Sequence, residues 1–279
     1  MPEGPEIRRV RNRLAEVLEG RRASRIEFHL PALTEWNGRF DASTIRSVES
    51  RGKALLTHLD NGYSIYSHNQ LYGRWFVTKS GERPSTGRQL RLAIHVPEHS
   101  AWLFSASAIE VWPTIDLGKH PFLARLGPDV LDPGTTAELV LERLGQKNWN
   151  RRQLGGFLTE QSFLAGLGNY LRCEILFVAG IHSRQRPCDL DPGQLERLAR
   201  AIVELPRQSL ETGGITNDLQ RARRLLDGGA SFEEARFHLF RRAGLPCRRC
   251  GTPIVLIRKK GGQVCYLCPA CQPEPIQAT

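Results

Sequence analysis

Four cysteines near the end of the chain have the spacing of a metal site. Two pairs, Cys247 with Cys250 and Cys268 with Cys271, each enclose two residues, and 17 residues separate the pairs. Each pair fits one tight turn, and a hairpin between them would bring four thiolates around one ion. The spacing therefore predicts a structural Zn²⁺ site with no open coordination position. Cys265 ranks second as a ligand, and four buried or oxidised thiols are the less favoured alternative.

The start of the chain offers a different chemistry. Pro2 follows the initiator methionine, which is normally removed before a small residue, and Glu3 comes next. The mature chain would then begin with a secondary amine beside a carboxylate. Such an amine attacks carbonyl-like carbons and forms a charged iminium, while the carboxylate can move protons. Taken alone, these residues are better explained as an ordinary chain start.

Lys53 is a candidate proton carrier for that chemistry. The chain has 39 basic residues but only six lysines, so a lysine at this position stands out against the arginines. Lysine gives up a proton readily, whereas arginine does not. A general arginine bias of the genome explains the same count, so the inference needs support from other residues.

The positive charge is concentrated in one segment. The net charge is +10, and residues 235–273 contain eight basic and no acidic side chains, which is +8 of that excess. Such a balance favours a polyanionic partner, with nucleic acid ahead of an anionic membrane surface. Five of the seven cysteines lie in the same segment, so a folded basic module is favoured over a solvated tail.

Composition and length indicate an ordinary folded protein. The chain has 279 residues, of which 40% are hydrophobic and 24% charged, and this suits one large domain or two to three smaller ones. Its apolar runs are far shorter than the roughly 20 residues of a membrane span, and no apolar segment of a signal peptide follows Met1. We therefore expect a monomeric cytosolic protein with reduced thiols and no membrane association.

The elements that must position these residues follow from periodicity. Residues 5–20 have helical spacing, and residues 24–112 alternate as short strands, which together predict a β-sandwich or barrel with a leading helix. Prolines between 113 and 134 indicate a linker. A mobile loop with a short helix is predicted over 213–235. Four further helical patterns are predicted, over 136–145, 151–160, 169–179 and 192–204, the last ending before Pro206.

A glycine-rich segment precedes one of these helices. Gly166, Gly168 and Asn169 come directly before and at the start of the apolar pattern. Main-chain N–H groups at such a helix start bind phosphate, although a packing turn between helices has the same composition.

Several motifs together resemble the formamidopyrimidine-DNA glycosylase/endonuclease VIII family over the whole chain, and bacterial endonuclease VIII most of all. The resemblance implies an α+β multidomain fold with an N-terminal β-sandwich and leading helix, a helical helix–two-turn–helix domain and a four-cysteine zinc finger. We assign these to residues 1–115, 135–237 and 238–272, with a linker over 116–134. The matching segments are residues 1–6, 51–54, 66–73, 127–131, 163–176 and the finger.

The resemblance also implies an activity, that of a DNA glycosylase and AP lyase of base excision repair. Pro2 would attack C1′ of a damaged nucleotide, and Glu3 would assist opening of the sugar ring. Lys53 would donate a proton during β-elimination, and Glu6 would support the site. Glu174 matches a further acid on the side of the active site.

Contacts to damaged double-stranded DNA follow from the same resemblance. Gln70, Leu71 and Tyr72 match the wedge that fills the space left by a flipped base, and this triplet favours oxidised pyrimidines over 8-oxoguanine. Arg125 and Asn169 match positions that hold DNA phosphates. The implied cofactor is a structural Zn²⁺, and the implied location is the nucleoid of a bacterial cytoplasm.

One position departs from the family pattern. The family finger has an arginine five residues before its third cysteine, where it serves δ-elimination, and this chain has Gln263 there. A neutral side chain loses a charge-assisted phosphate contact. Arg258, Lys259 or Lys260 could replace it, so we expect β-elimination and leave δ-elimination open.

Two other functions fit part of the pattern. An 8-oxoguanine or formamidopyrimidine glycosylase would share the same motifs with a different lesion preference. A non-catalytic zinc-finger DNA-binding protein would share the basic finger, but it would have no use for a free Pro2 or for Lys53.

Overall fold

The chain divides into two units, residues 1–125 and 126–279, in a computed structural model that describes residues 2–258 and 264–275. The first unit begins with helix α1, Gly4–Leu18, whose buried face carries Ile7, Leu14 and Leu18 at helical spacing. The eight strands that follow are β1 Arg25–Phe28, β2 Ile45–Arg51, β3 Ala54–Leu59, β4 Tyr63–His68, β5 Arg74–Lys79, β6 Leu90–His95, β7 His99–Phe104 and β8 Ala108–Pro113.

These strands form two antiparallel four-stranded sheets. One has the order β1-β6-β7-β5 and the other β2-β3-β4-β8. Apolar side chains from both sheets and from α1 share one core, which includes Ile7, Phe28, Ile45 and Leu103. The predicted β-sandwich with a leading helix is therefore confirmed.

The second unit is helical and ends in a two-stranded sheet of β9 and β10. Its core joins the faces of the two long helices, including Leu171, Ile175, Leu198 and Ile202. The helices are α2 Ala137–Gly145, α3 Lys147–Asn150, α4 Leu154–Phe157, α5 Asn169–Ala179, α6 Pro192–Glu211, α7 Leu219–Asp227 and α8 Phe232–Ala235, and the strands are β9 Val255–Arg258 and β10 Val264–Leu267.

Helix α6 runs past the proline that was expected to follow its end. Pro206 lies inside the helix and is buried, as are Leu205 before it and Ser209 after it. A proline in a helix interior costs about 3 kcal/mol through its missing N–H bond and ring clash. Burial of this continuous face outweighs that cost, so the predicted end near residue 204 is wrong.

Two other segments differ from the predictions. The pattern over 151–160 forms only the single turn of α4, because residues 158–166 form the turns that lead into α5. Residues 213–235, predicted as a mobile loop with one short helix, contain two helices, α7 and α8. Each begins with a side-chain cap, from Asp218 and from Ser231.

Candidate functional site

The start of α1 gathers two carboxylates behind Pro2. Glu3 is the N-cap residue and is 2% exposed, while Pro2 is partly exposed. The Glu3 main-chain N–H donates to Glu6 Oε2 at 3.0 Å, and Glu6 Oε1 pairs with Arg9 at 3.1 Å. A helix N-terminus favours nearby negative charge, so both carboxylates are stabilised in the first turn.

Lys53 joins these carboxylates from the turn between β2 and β3. Gly52, the first residue of this two-residue turn, has φ +59°, a conformation that favours glycine. The Lys53 side chain is buried at 4% exposure. Burial lowers the pKa of Lys53 below its usual 10.5, and the charges of Glu3 and Glu6 oppose that shift. The structure thus brings together Glu3, Glu6 and Lys53, three of the four predicted catalytic residues. The fourth, Pro2, directly precedes Glu3.

His68 belongs to the same neighbourhood and was not predicted from the sequence. It pairs with Ala54 at the end of β4, next to Lys53. Burial, and to a lesser degree the Lys53 charge, lower the pKa of His68 to about 4. The imidazole is therefore neutral at pH 7, and its Nδ1 accepts a hydrogen bond from the main-chain N–H of Gln70 at 3.0 Å. Its place in the matching segment 66–73 was the available signal.

The predicted wedge residues lie on a tight loop, Asn69–Gly73, between β4 and β5. Gln70 has φ +48°, a left-handed conformation that is uncommon outside glycine. The Gly73 N–H donates to Asn69 O at 2.7 Å. A Cβ on Gly73 would lie 2.6 Å from that oxygen, so the loop requires glycine there.

Side chains outside the loop fix its conformation. Ser107 donates to Gln70 Oε1 at 2.6 Å, and Arg88 donates to the Tyr72 carbonyl at 2.8 Å. Leu71 and Tyr72 are nonetheless 63% and 70% exposed. Large apolar side chains held out on a braced loop suit insertion into another molecule.

The two predicted phosphate contacts, Arg125 and Asn169, lie on separate units. Arg125 is exposed at the end of the first unit, and its Nε donates to Pro121 O at 2.7 Å. Asn169 is the first residue of α5, after the N-cap residue Gly168. Gly166 has φ +102°, and Gln161 holds this turn by accepting from Gly166 N and donating to Leu167 O.

Glu174 lies inside the second unit and is fully buried. Its carboxylate accepts main-chain N–H bonds from His238, Leu239 and Phe240 at 2.7–2.9 Å, and the Thr216 hydroxyl donates to it at 2.8 Å. Four donors from two distant segments make this carboxylate a structural brace between α5 and the chain that enters the finger.

The four predicted metal ligands form one cluster. The Sγ atoms of Cys247, Cys250, Cys268 and Cys271 all lie within 4.8 Å of one another. Tetrahedral coordination with Zn–S bonds of about 2.3 Å separates sulfurs by about 3.8 Å, so the cluster fits this geometry. The hairpin β9–β10 connects the pairs.

The second-ranked ligand, Cys265, points elsewhere. Its Sγ lies 3.8 Å from the Sγ of buried Cys173 on α5, and it is outside the cluster of four. Cys188 is exposed. Gln263, Lys259 and Lys260 lie outside the described residues, and Arg258 ends β9.

Within residues 2–258 and 264–275, every helix is too short or too polar to cross a membrane.

Comparison with known proteins adds independent evidence. Residues 1–106 match the formamidopyrimidine-DNA glycosylase N-terminal domain, and residues 126–221 match the H2TH domain of the same family. Endonuclease 8 from Shigella sonnei strain Ss046 and from Escherichia coli strain K12 / DH10B are each 43% identical to the chain over 272 residues, covering 98% of it and 100% of each relative.

Solved structures share the fold. A Lactococcus lactis formamidopyrimidine-DNA glycosylase bound to DNA with an abasic site has a TM-score of 0.79 at 21% identity, covering 98% of this chain and 100% of that chain. The wild-type Lactococcus lactis protein in complex with DNA containing an oxidised pyrimidine has a TM-score of 0.80 at 22% identity, with the same coverage. Together with the full-length relatives, these matches show that the chain belongs to the formamidopyrimidine-DNA glycosylase/endonuclease VIII family and is a DNA glycosylase and AP lyase of base excision repair.

Proposed function

We propose that this enzyme removes oxidised pyrimidines from duplex DNA and nicks the strand by β-elimination, acting on the nucleoid of a bacterial cytoplasm. One observation carries the proposal: the buried Lys53 amine interacts with Glu3 and Glu6 at the helix start that follows Pro2. The preference for pyrimidine lesions over 8-oxoguanine rests on the Gln70, Leu71 and Tyr72 triplet and on the resemblance to bacterial endonuclease VIII.

The first half of the reaction replaces the base by the protein. With Met1 removed, the Pro2 nitrogen attacks C1′ and the bond from C1′ to the base breaks. The base leaves with the electron pair and takes up the proton that the Pro2 nitrogen loses. Glu3 delivers a proton to O4′ as the C1′–O4′ bond breaks, which leaves a Pro2 iminium on an open sugar. Glu6 holds the Glu3 main-chain N–H and so fixes the position of this acid.

The second half cuts the strand. The iminium acidifies the hydrogens on C2′, so one passes to water as a proton, and the resulting enamine expels the 3′ phosphate as the C3′–O3′ bond breaks. Lys53 donates a proton to the departing phosphate oxygen, since its lowered pKa makes the ammonium a better acid than an exposed lysine. Water then hydrolyses the iminium and frees Pro2. Position 263 has a neutral side chain, so β-elimination is proposed and δ-elimination is left open.

DNA contacts complete the proposal. Gln70, Leu71 and Tyr72 fill the space of the flipped nucleotide, which lowers the cost of unstacking it. Arg125 and Asn169 bind phosphates, the latter at the N-terminus of α5. A Zn²⁺ ion held by the four clustered cysteines keeps the finger folded and takes no part in the chemistry.

Borohydride trapping tests the nucleophile. Reduction should join the wild-type protein covalently to lesion DNA, and peptide mapping should place the bond on Pro2. Pro2→Gly should trap far less. Lys53→Met should slow strand cleavage, whereas the matched change at the exposed Lys79 should leave it unchanged. Full trapping of Pro2→Gly through another amine would contradict the proposal.

A lesion panel tests the substrate. Duplexes that each contain one lesion, such as thymine glycol, 8-oxoguanine or an abasic site, should be cut in the order that places oxidised pyrimidines above 8-oxoguanine, with β-products resolved on a gel. Faster removal of 8-oxoguanine would instead identify the alternative glycosylase.

A further inference from the structure

Arg172 of α5 is a charged side chain with no solvent exposure. Its Nη1 donates to the Gly155 carbonyl at 2.8 Å. Its Nη2 donates to Asn169 Oδ1 at 2.5 Å and to the Val264 carbonyl at 2.9 Å. One guanidinium therefore joins helix α4, the first residue of α5 and strand β10 of the finger.

These bonds determine which end of the Asn169 amide faces away from Arg172. A guanidinium has donors and no acceptor, so the atom of Asn169 beside it must be the oxygen. The amide NH₂, with two donors, is left for other partners. It stands at a helix start, where the main-chain N–H groups lack intrahelical acceptors. The result is a group of donors suited to an anion such as phosphate.

The same side chain fixes the finger against α5. Val264 pairs with Arg258 at the end of the hairpin that adjoins residues 259–263. The next residues along both elements also meet, since Cys173 Sγ lies 3.8 Å from Cys265 Sγ. Consecutive residues of α5 thus contact consecutive residues of β10.

We propose that Arg172 is a positioning residue for DNA binding. It holds the Asn169 amide with its donors toward a phosphate. This rests on the proposed role of Asn169. A purely structural arginine would stabilise the second unit without acting through Asn169.

Binding to a duplex with a tetrahydrofuran abasic analogue tests the assignment, since it requires no base excision. Arg172→Met, which keeps the bulk and loses every donor, should weaken the affinity roughly tenfold, the range for a lost hydrogen bond to a charged group. Asn169→Ala should do the same, and Arg172→Met added to Asn169→Ala should change the affinity less than twofold. Arg200→Lys, a change at an exposed arginine of α6, is the control.

Single methylphosphonate replacements, which remove the charge of one phosphate at a time, separate positioning from stability. One replacement should weaken wild-type binding and have no effect on Arg172→Met. Arg172→Lys, used if the methionine variant loses zinc or unfolds, should keep part of that sensitivity. The inference would be overturned if Arg172→Met lowered the affinity equally in the wild-type and Asn169→Ala proteins. It would also be overturned if the Arg172→Met variant kept the wild-type sensitivity to methylphosphonate replacement. Failure to excise oxidised pyrimidines would instead overturn the proposed substrate. The binding comparison of Arg172→Met, Asn169→Ala and the double variant would remain valid.

Discussion

At the level of single residues, burial lowers the pKa of two neighbouring basic groups, Lys53 and His68. Lys53 is 4% exposed, and its pKa is lowered by that burial. His68 has a pKa of about 4 for the same physical reason, with the Lys53 charge adding to it. An amine with a lowered pKa and a neutral imidazole therefore lie close enough to affect each other electrostatically, which neither residue type establishes alone.

The lowered pKa of Lys53 predicts the pH at which the lyase rate begins to decline on the alkaline side. The Lys53 amine loses its proton at a pH lower than the usual 10.5. As the pH rises, the rate of β-elimination on a preformed abasic site should therefore begin to fall before pH 10.5 is reached. Glu6→Gln removes a charge that raises the pKa, and it should move the decline to lower pH still. Single-turnover rates against pH measure this, and a decline at or above 10.5 would show that Lys53 is not the proton donor.

His68 predicts a pH dependence of stability. The unfolded imidazole takes up a proton near pH 6.5 and the folded one only near 4, so the unfolded state binds more protons between these values. Stability should therefore fall as the pH drops through this window. His68→Gln should flatten the slope of the thermal midpoint against pH, whereas the control His99→Gln should not. Equal slopes for both variants would refute this assignment.

At the level of elements, the loop Asn69–Gly73 depends on close main-chain approach. Gly73→Ala would place a Cβ 2.6 Å from Asn69 O, so the loop must open and Leu71 and Tyr72 must shift. We expect at least a tenfold loss of kcat/KM on lesion DNA, about 1.4 kcal/mol. Gly87→Ala is the matched control, since its Cβ meets no atom within 4 Å. Wild-type kinetics for Gly73→Ala would show that the loop shape does not matter.

Elements with a strong local signal were predictable and those decided by packing were not. Periodicity predicts α1, α2 and α5 closely, because the signal for each lies within one segment. The continuation of α6 through Pro206 depends on a buried face that only the folded core reveals. The contact of Arg172 with Val264 joins residues 92 positions apart, which no local pattern reports.

The candidate site divides in the same way. The four cysteines were predictable because their spacing alone encodes the cluster. The scarcity of lysines drew attention to Lys53, but its role needed the resemblance. His68 was missed because its burial near Lys53 exists only in the folded sheet. The predicted domain boundaries remain predictions.

At the level of the whole molecule, the net charge of +10 predicts salt-sensitive binding. Each phosphate neutralised by lysine or arginine releases counterions, so the logarithm of the affinity should fall linearly with the logarithm of the salt concentration. Removing zinc with a chelator should weaken binding and reduce the slope, since the basic finger loses its fold. DNA-binding titrations at salt concentrations from about 50 to about 200 mM measure both the affinity and the slope. A flat profile would contradict the DNA-binding surface.

The hydrogen bonds of Glu174 bear on how the protein can be divided. Three of its four donors are main-chain N–H groups at His238, Leu239 and Phe240, which belong to the start of the finger segment. A truncated chain that stops at Phe237 would lose these three donors and keep only Thr216 of the four. Each lost bond to a buried group costs about 1–3 kcal/mol. The helices of the second unit are therefore not independent of the finger, and removing the finger should destabilise them.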